Sequence, residues 1–369
     1  MEITAIGIMG AATVGAGIAE IFVKNGYQVR LYDDFKDSLN IALAKISWSL
    51  HQEGKENLLA NLEGIQDLSK FKGADIIIET QAKDMDERRH AFSKLKEFIE
   101  PDCVVAPFCA VVPLKTLFEN TELPRDRTVG LHFVRPVRVN PLVELVRLDH
   151  TGAGYMDAAM KLLRNIGKTP ILVKDNPGQI VERLTRPFLL SALKLLADGK
   201  GSPHEIDAAF REVGSVSCGP FEMADFIGLD VDYKAARDIY ESLGKPERLT
   251  PSAVELRLVQ YGQVGKKSTL GFYVYEDGRI VGENPILSNI IKYLGLRKAS
   301  KEEIFAELLR PMIEEAKLLA AEIMASEYDI ETAVKLGMGW PKGLFAYSRD
   351  LEHLFVKKRV SEFDKLDIF

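Results

Sequence analysis

Short apolar runs alternate with amphipathic stretches over the first half of the chain, and that alternation predicts most of its elements. Residues 3–8 read as a buried strand, 13–25 as a helix stopped by Gly26, and 27–32 as a second strand. Residues 38–49 form an amphipathic helix, followed by a charged stretch to residue 61. Residues 74–79 (ADIIIE) are an apolar strand, 84–100 a charged helix and 103–106 another strand. Two β-rich runs at 129–134 and 142–148 flank a connection containing Pro136 and Pro141. A helix at 158–166 and a strand at 170–173 precede the break Asp175-Asn176-Pro177-Gly178. The expectation is an α/β Rossmann domain with a mostly parallel sheet and helices on both faces. Ligands then gather at the carboxyl ends of the strands, where Ala106-Pro107-Phe108 and His132 fall.

The second half is helical and repeats itself. Residues 180–198 read as a helix interrupted by Pro187, and the next helix begins at Ser202-Pro203, a cap followed by a first-turn proline. An offset of 124 positions places Arg186-Pro187 on Arg310-Pro311, Ala192 on Ala316 and Leu195 on Leu319. The same offset places Ile206 on Ile330, Ala209 on Ala333, Gly219 on Gly343 and Phe221 on Phe345. One ungapped offset over this length implies a duplicated module, hence an all-α domain made of two related helical modules. Gly219-Pro220-Phe221-Glu222 becomes Gly343-Leu344-Phe345-Ala346, so the second copy reads as scaffold. Asp277-Gly278, between apolar runs, signals a short hairpin, with Lys266 and Lys267 before it. The expected divisions are 1–177, 178–282 and 283–369.

Composition narrows the function classes. The 369 residues suit two or three domains, and 46 % hydrophobic with 28 % charged residues suits a globular chain. A formal net charge of −6 argues against nucleic acid as a partner. Cys103, Cys109 and Cys218 make neither a disulfide framework nor a zinc spacing, so no metal and a reducing, cytoplasmic location are expected. No leader pattern opens the chain, and no apolar run approaches the roughly 20 residues of a membrane span.

Two constellations carry chemistry. The turn after the first strand is Gly10-Ala11-Ala12-Thr13-Val14-Gly15, a G-x-A-x-x-G with alanine where a middle glycine would admit a pyrophosphate. Asp33 ends the second strand, where a carboxylate binds ribose hydroxyls and repels a 2′-phosphate, favouring NAD over NADP. Lys267 is a candidate phosphate contact. His132 and Glu144 lie twelve positions apart and each six from Arg138. A hairpin centred there makes them cross-strand neighbours, with Cβ atoms roughly 5 Å apart. A carboxylate beside an imidazole fixes its tautomer and suits it to general acid–base work.

The ordered set TVGAGIA, LYD, GLHF…P…LVELV, KDNPGQIVERL, GPFEMADFIGLD and GKKSTLGFY resembles the L-3-hydroxyacyl-CoA dehydrogenase family along nearly the whole chain. The duplicated module resembles that of multifunctional β-oxidation enzymes and of archaeal dehydrogenases fused to a hydratase, without the hydratase portion. The resemblance implies NAD as cofactor, an acyl-CoA substrate, His132 as general base or acid and Glu144 as its orienting carboxylate. It also implies a monomer or homodimer, the second module standing where single-module relatives have a partner. Departures cluster near the base. The family's Ser-Asn-Thr-Ser run falls on Pro107-Phe108-Cys109-Ala110, so a substrate-side hydroxyl is missing at Ala110. Family asparagines fall on Arg135 and Glu182, a phenylalanine on Gln179, a glutamate on Lys83 and a lysine on Arg88. Arg135 could replace a lost donor and pair with Glu182. Two other readings stay open: a dehydrogenase of a free, gulonate-like hydroxy acid clamped by Arg135 or Arg138, and a non-catalytic relative that binds CoA esters or nucleotide.

Overall fold

The computed structural model describes residues 1–369 except 82–83, 119–122, 292–297, 323 and 353–369, and Lys83 therefore lies outside the described residues. The chain forms two compact units, Met1–Gln179 and Ile180–Phe369.

The first unit runs β1 (Ala5–Met9), α1 (Thr13–Lys24), β2 (Gln28–Tyr32), α2 (Lys36–Gln52), β3 (Leu62–Ile65), β4 (Ile76–Glu79), α3 (Met85–Leu95) and β5 (Val104–Pro107). A short α4 (Leu114–Leu117) leads to β6 (Gly130–Phe133), β7 (Leu142–Arg147), α5 (Ala153–Asn165) and β8 (Thr169–Lys174). Strands β3-β2-β1-β4-β5 form a parallel sheet in that order. Parallel bridges Val105–Thr128 and Phe108–Leu131 carry it on to β6, which pairs antiparallel with β7, and β7 pairs parallel with β8. The strands bury Ile6, Ile8, Val29, Leu31, Ile76, Ile78 and Val104 against Ile18 and Phe22 of α1, Leu39 and Ile46 of α2, and Leu163 of α5. This is the Rossmann arrangement, with the turn after β1 at the sheet's centre. The expected charged stretch before residue 61 is a 3-10 turn, Glu56–Asn61, and the strand that follows it, β3, was not expected. Two of its four residues are exposed, so it lacks the apolar run that marks its neighbours.

The second unit runs α6 (Val181–Ala197), α7 (Pro203–Gly214), α8 (Pro220–Ile227), α9 (Leu229–Ser242) and α10 (Ala253–Gln260), then a hairpin of β9 (Tyr273–Glu276) and β10 (Arg279–Glu283). It continues through α11 (Leu287–Ile290), α12 (Lys301–Ala321), α13 (Glu327–Thr332) and a helical stretch at 344–352. Pro187 does not interrupt α6, which is continuous through it, as α12 is through Pro311.

Residues related by the 124-position offset do the same structural work. Ser202 caps α7 through Glu205 N, and Ser326 caps α13 through Asp329 N. Asp207 accepts from Phe221 N at 2.9 Å, and Glu331 accepts from Phe345 N at 2.6 Å. A Cβ at Gly219 or Gly343 would collide with those same two acids, so the glycines let the carboxylates reach the backbone. The buried pair Arg183–Glu315 (2.6 Å) ties α6 to α12, and Arg248 completes it at 2.7 Å. Among the described residues no helix is long and apolar enough to cross a membrane.

Candidate active site

The turn between β1 and α1 is built around two glycines. Gly10 has φ +112°, a conformation that L side chains rarely adopt, and its N–H donates to Tyr32 O at 2.8 Å. At Gly15 an added Cβ would lie 1.8 Å from Gly10 O, so helix and turn approach as closely as two backbones can. Ala12, by contrast, is the N-cap of α1 with φ −67° and is exposed. That backbone accepts any residue, so alanine there leaves the turn unstrained. No side chain caps α1 and its first turn, with Thr13 and Val14, holds no acid. Its N–H groups and positive end are therefore disposed toward an anion such as a diphosphate.

Asp33, directly after β2, is almost buried. Its carboxylate accepts from Ala11 N at 2.8 Å and from Phe35 N at 2.9 Å, which fixes it beside the turn. A carboxylate has acceptor capacity beyond two bonds, enough for ribose hydroxyls. Asp34 follows it, accepting from Tyr32 Oη at 2.6 Å, and burial together with that acid pushes the Tyr32 phenol well above its usual range. Two adjacent acids disfavour a 2′-phosphate. The residues present fit a dinucleotide of the NAD type.

The register of β6 and β7 sets His132 directly opposite Glu144. Both side chains are buried, and His132 Nδ1 hydrogen-bonds Glu144 Oε2. Phe108, just past β5, lies edge-on to the imidazole with ring centroids 5.6 Å apart. Nε2 has no hydrogen-bond partner among the described residues. The pair thus presents one imidazole nitrogen while a buried carboxylate holds the other.

The remaining expected positions divide between the units. Ala110 is half-buried in the bend after β5 and brings no hydroxyl. Arg135 is exposed in the β6–β7 connection, and its guanidinium has no hydrogen-bond or ion-pair partner among the described residues. Arg138 is engaged instead, its Nε 2.6 Å from buried Glu20 of α1. Lys168 Nζ pins the same connection by donating to Val137 O and Asn140 O, each at 2.7 Å, and burial lowers its pKa. Glu182 lies in the second unit and finds its partner within α6: Arg186 Nη2 is 3.4 Å away and also binds Asp232 at 2.6 Å. Lys267, also in the second unit, pairs with Asp230 at 2.5 Å. Gln179 is fully buried at φ +49°.

Sequence reasoning passed over Glu79. It ends β4 with its side chain buried, and Arg88 Nε and Nη2 bind its Oε2 at 3.1 and 2.5 Å. An acid closing an otherwise apolar strand, as in IIIE, was the available signal.

Comparison with known proteins meets this geometry. The family described as 3-hydroxyacyl-CoA dehydrogenase, NAD binding domain, matches residues 5–176, and the 3-hydroxyacyl-CoA dehydrogenase C-terminal domain matches residues 178–275. A 3-hydroxybutyryl-CoA dehydrogenase of Bradyrhizobium diazoefficiens is 30 % identical over 285 residues, 75 % of this chain and 97 % of that protein. The chain belongs to the 3-hydroxyacyl-CoA dehydrogenase family. The crystal structure of an Escherichia coli K12 3-hydroxybutyryl-CoA dehydrogenase superposes with a TM-score of 0.84 at 25 % identity, covering 95 % of this chain and 92 % of that one. A glyoxysomal fatty acid β-oxidation multifunctional protein of Cucumis sativus is 28 % identical over 99 % of this chain, of which the chain spans 53 %, about half. As a member of this oxidoreductase family the chain carries an NAD-binding domain in its first unit, and the turn and Asp33 lie inside the matched residues.

Proposed function

We propose that the protein is an NAD-dependent dehydrogenase that interconverts an L-3-hydroxyacyl-CoA and its 3-oxoacyl-CoA. The observation that carries this is the buried His132–Glu144 pair on neighbouring strands of the sheet whose β1–α1 turn and Asp33 suit a dinucleotide. His132 Nε2 takes the proton of the 3-hydroxyl as the C3–O bond becomes a carbonyl. Glu144 keeps the ring proton on Nδ1 and stabilises the imidazolium that forms. NAD, when bound, supplies the acceptor for the hydride leaving C3. In the reverse direction the imidazolium returns its proton to the oxygen.

CoA esters as substrates rest on the names of the relatives, several of which are 3-hydroxybutyryl-CoA dehydrogenases. The turn residues Gly10, Ala11, Ala12, Thr13, Val14 and Gly15, with Asp33, would hold the dinucleotide. The packing of α12 on α6 and α7 supports the second module standing in for a partner subunit, and three free cysteines suit a reducing compartment such as the cytoplasm. The test is NADH consumption by purified protein offered acetoacetyl-CoA and longer 3-oxoacyl-CoAs. Turnover supports the reading, and none at any chain length overturns it.

A further inference from the structure

Outside the His–Glu pair, a second buried polar knot in the first unit lies where β4 and β5 end. Glu79 closes β4 and is fully buried; Arg88, one turn into α3, is mostly buried beside it. The guanidinium does two things at once. Nε and Nη2 bind Glu79 Oε2 at 3.1 and 2.5 Å, and Nη2 also donates to the carbonyl of Phe108 at 2.9 Å. Phe108 is held from the same residue on its other side, because its N–H donates to Glu79 O at 2.7 Å. Both peptide groups of Phe108 are therefore fastened to the Glu79–Arg88 pair. Beyond it, Cys109 N donates to Leu131 O at 3.1 Å, which joins this segment to the strand that carries His132.

The ring of Phe108 meets the imidazole edge-on, at an interplanar angle of 79°. Glu144 holds Nδ1 by a directional bond, but one hydrogen bond leaves the imidazole free to swing about it. The T-shaped contact with the Phe108 ring removes that freedom. Proton transfer needs the nitrogen within hydrogen-bond reach of the reacting oxygen, and a displacement of about 1 Å costs roughly a hundredfold in rate.

We infer that Arg88 is a positioning residue that acts on His132 through Phe108: by gripping Glu79 and the Phe108 carbonyl it holds the Phe108 ring where it fixes the imidazole. This rests on the dehydrogenase reading of the pair. A merely structural ion pair would affect stability and leave turnover per folded molecule alone.

The experiment compares wild type, R88M, R88K, F108L, F108Y and the double variant R88M/F108L in acetoacetyl-CoA reduction, with active fraction measured by NADH titration. R88M and F108L lower kcat by about tenfold to a hundredfold with KM for both substrates within about threefold. R88K, which keeps the charge, and F108Y, which keeps the ring, recover most of the loss. The double variant is no slower than the worse single one, because both break one linkage. The His132 ring-proton NMR shift in apo protein is the second readout, since the ring current of Phe108 acts on it: R88M and F108L both move it. Unchanged kcat in F108L, additive losses in the double variant, or an unmoved His132 resonance in R88M overturns the inference. Absent wild-type turnover would overturn the functional reading, and the NMR shift would still decide this one. Should R88M not fold, F108L and R88K carry the comparison.

Discussion

Replacing Glu144 with glutamine probes the proposed chemistry most sharply. The side chain is fully buried, and its Oε2 meets His132 Nδ1 inside the sheet. Glutamine keeps the volume and can still accept from Nδ1, but it removes the negative charge that stabilises the imidazolium. Breaking a buried charge pair by neutralising one partner costs about 3–5 kcal/mol. Spread over the barrier at about 1.4 kcal/mol per decade, that is a loss of roughly a hundredfold to several thousandfold in kcat. Because the charge develops only as the proton moves, KM for acetoacetyl-CoA and Kd for NADH should hold within about threefold. The assay is steady-state NADH oxidation with acetoacetyl-CoA, paired with near-ultraviolet circular dichroism to confirm the fold. H132Q should lose at least as much, and the double variant H132Q/E144Q no more than H132Q alone. An E144Q enzyme with kcat near wild type would refute the reasoning, since the carboxylate would then be only a packing element.

Other consequences are equally specific. G15A should weaken NADH binding roughly tenfold or more by calorimetry, because its Cβ would sit 1.8 Å from Gly10 O, whereas A12G should change it little. Unaltered affinity in G15A would place the cofactor elsewhere. R135A should leave KM for acetoacetyl-CoA within about threefold, because its exposed guanidinium serves no partner among the described residues. A large KM rise toward a free hydroxy acid would instead favour a carboxylate clamp. Burial pushes Asp207 up to about 7, so the folded chain keeps a proton there that the unfolded chain has released. Its contribution to stability is complete below the unfolded carboxyl range near pH 4 and is lost as pH rises through about 7. Lowering pH from about 8 to about 6 should therefore stabilise the second unit by roughly 1 kcal/mol through this group. Asp225, held at about 6, adds a smaller increment of the same sign. Thermal denaturation across that range should show the slope, and D207N should remove most of it.

Much of the first unit was legible because β1, β4, β5, β6 and β7 are almost wholly buried and therefore read as largely apolar runs. The pairing of His132 with Glu144 followed from counting residues about Arg138, since a tight antiparallel register depends only on spacing. The duplication was legible because an Arg-Pro pair, four apolar positions and the spacing from Gly to Phe recur at one offset; the structure adds that the capping serines at 202 and 326 and the acids at 207 and 331 obey the same offset. What escaped lacks a local signal. β3 is short and half exposed, and α5 begins at Ala153 between two glycines, well before the apolar run that announced it. The partner of Arg88 could not be read from α3, because Glu79 and the Phe108 carbonyl reach it only when β4 and β5 lie side by side. Glu182 looked available to Arg135 by chemistry alone; within α6 it is paired with Arg186, one helical turn on.

All of this turns on whether hydride arrives at a carbon whose oxygen is served by His132. The direct measurement is mass spectrometry of the product formed from acetoacetyl-CoA and NADH carrying deuterium at both nicotinamide C4 positions. One deuterium at C3 of 3-hydroxybutyryl-CoA, lost in rate by orders of magnitude in H132Q, is the expected result. An unlabelled product, or label transferred equally fast without the imidazole, would contradict it.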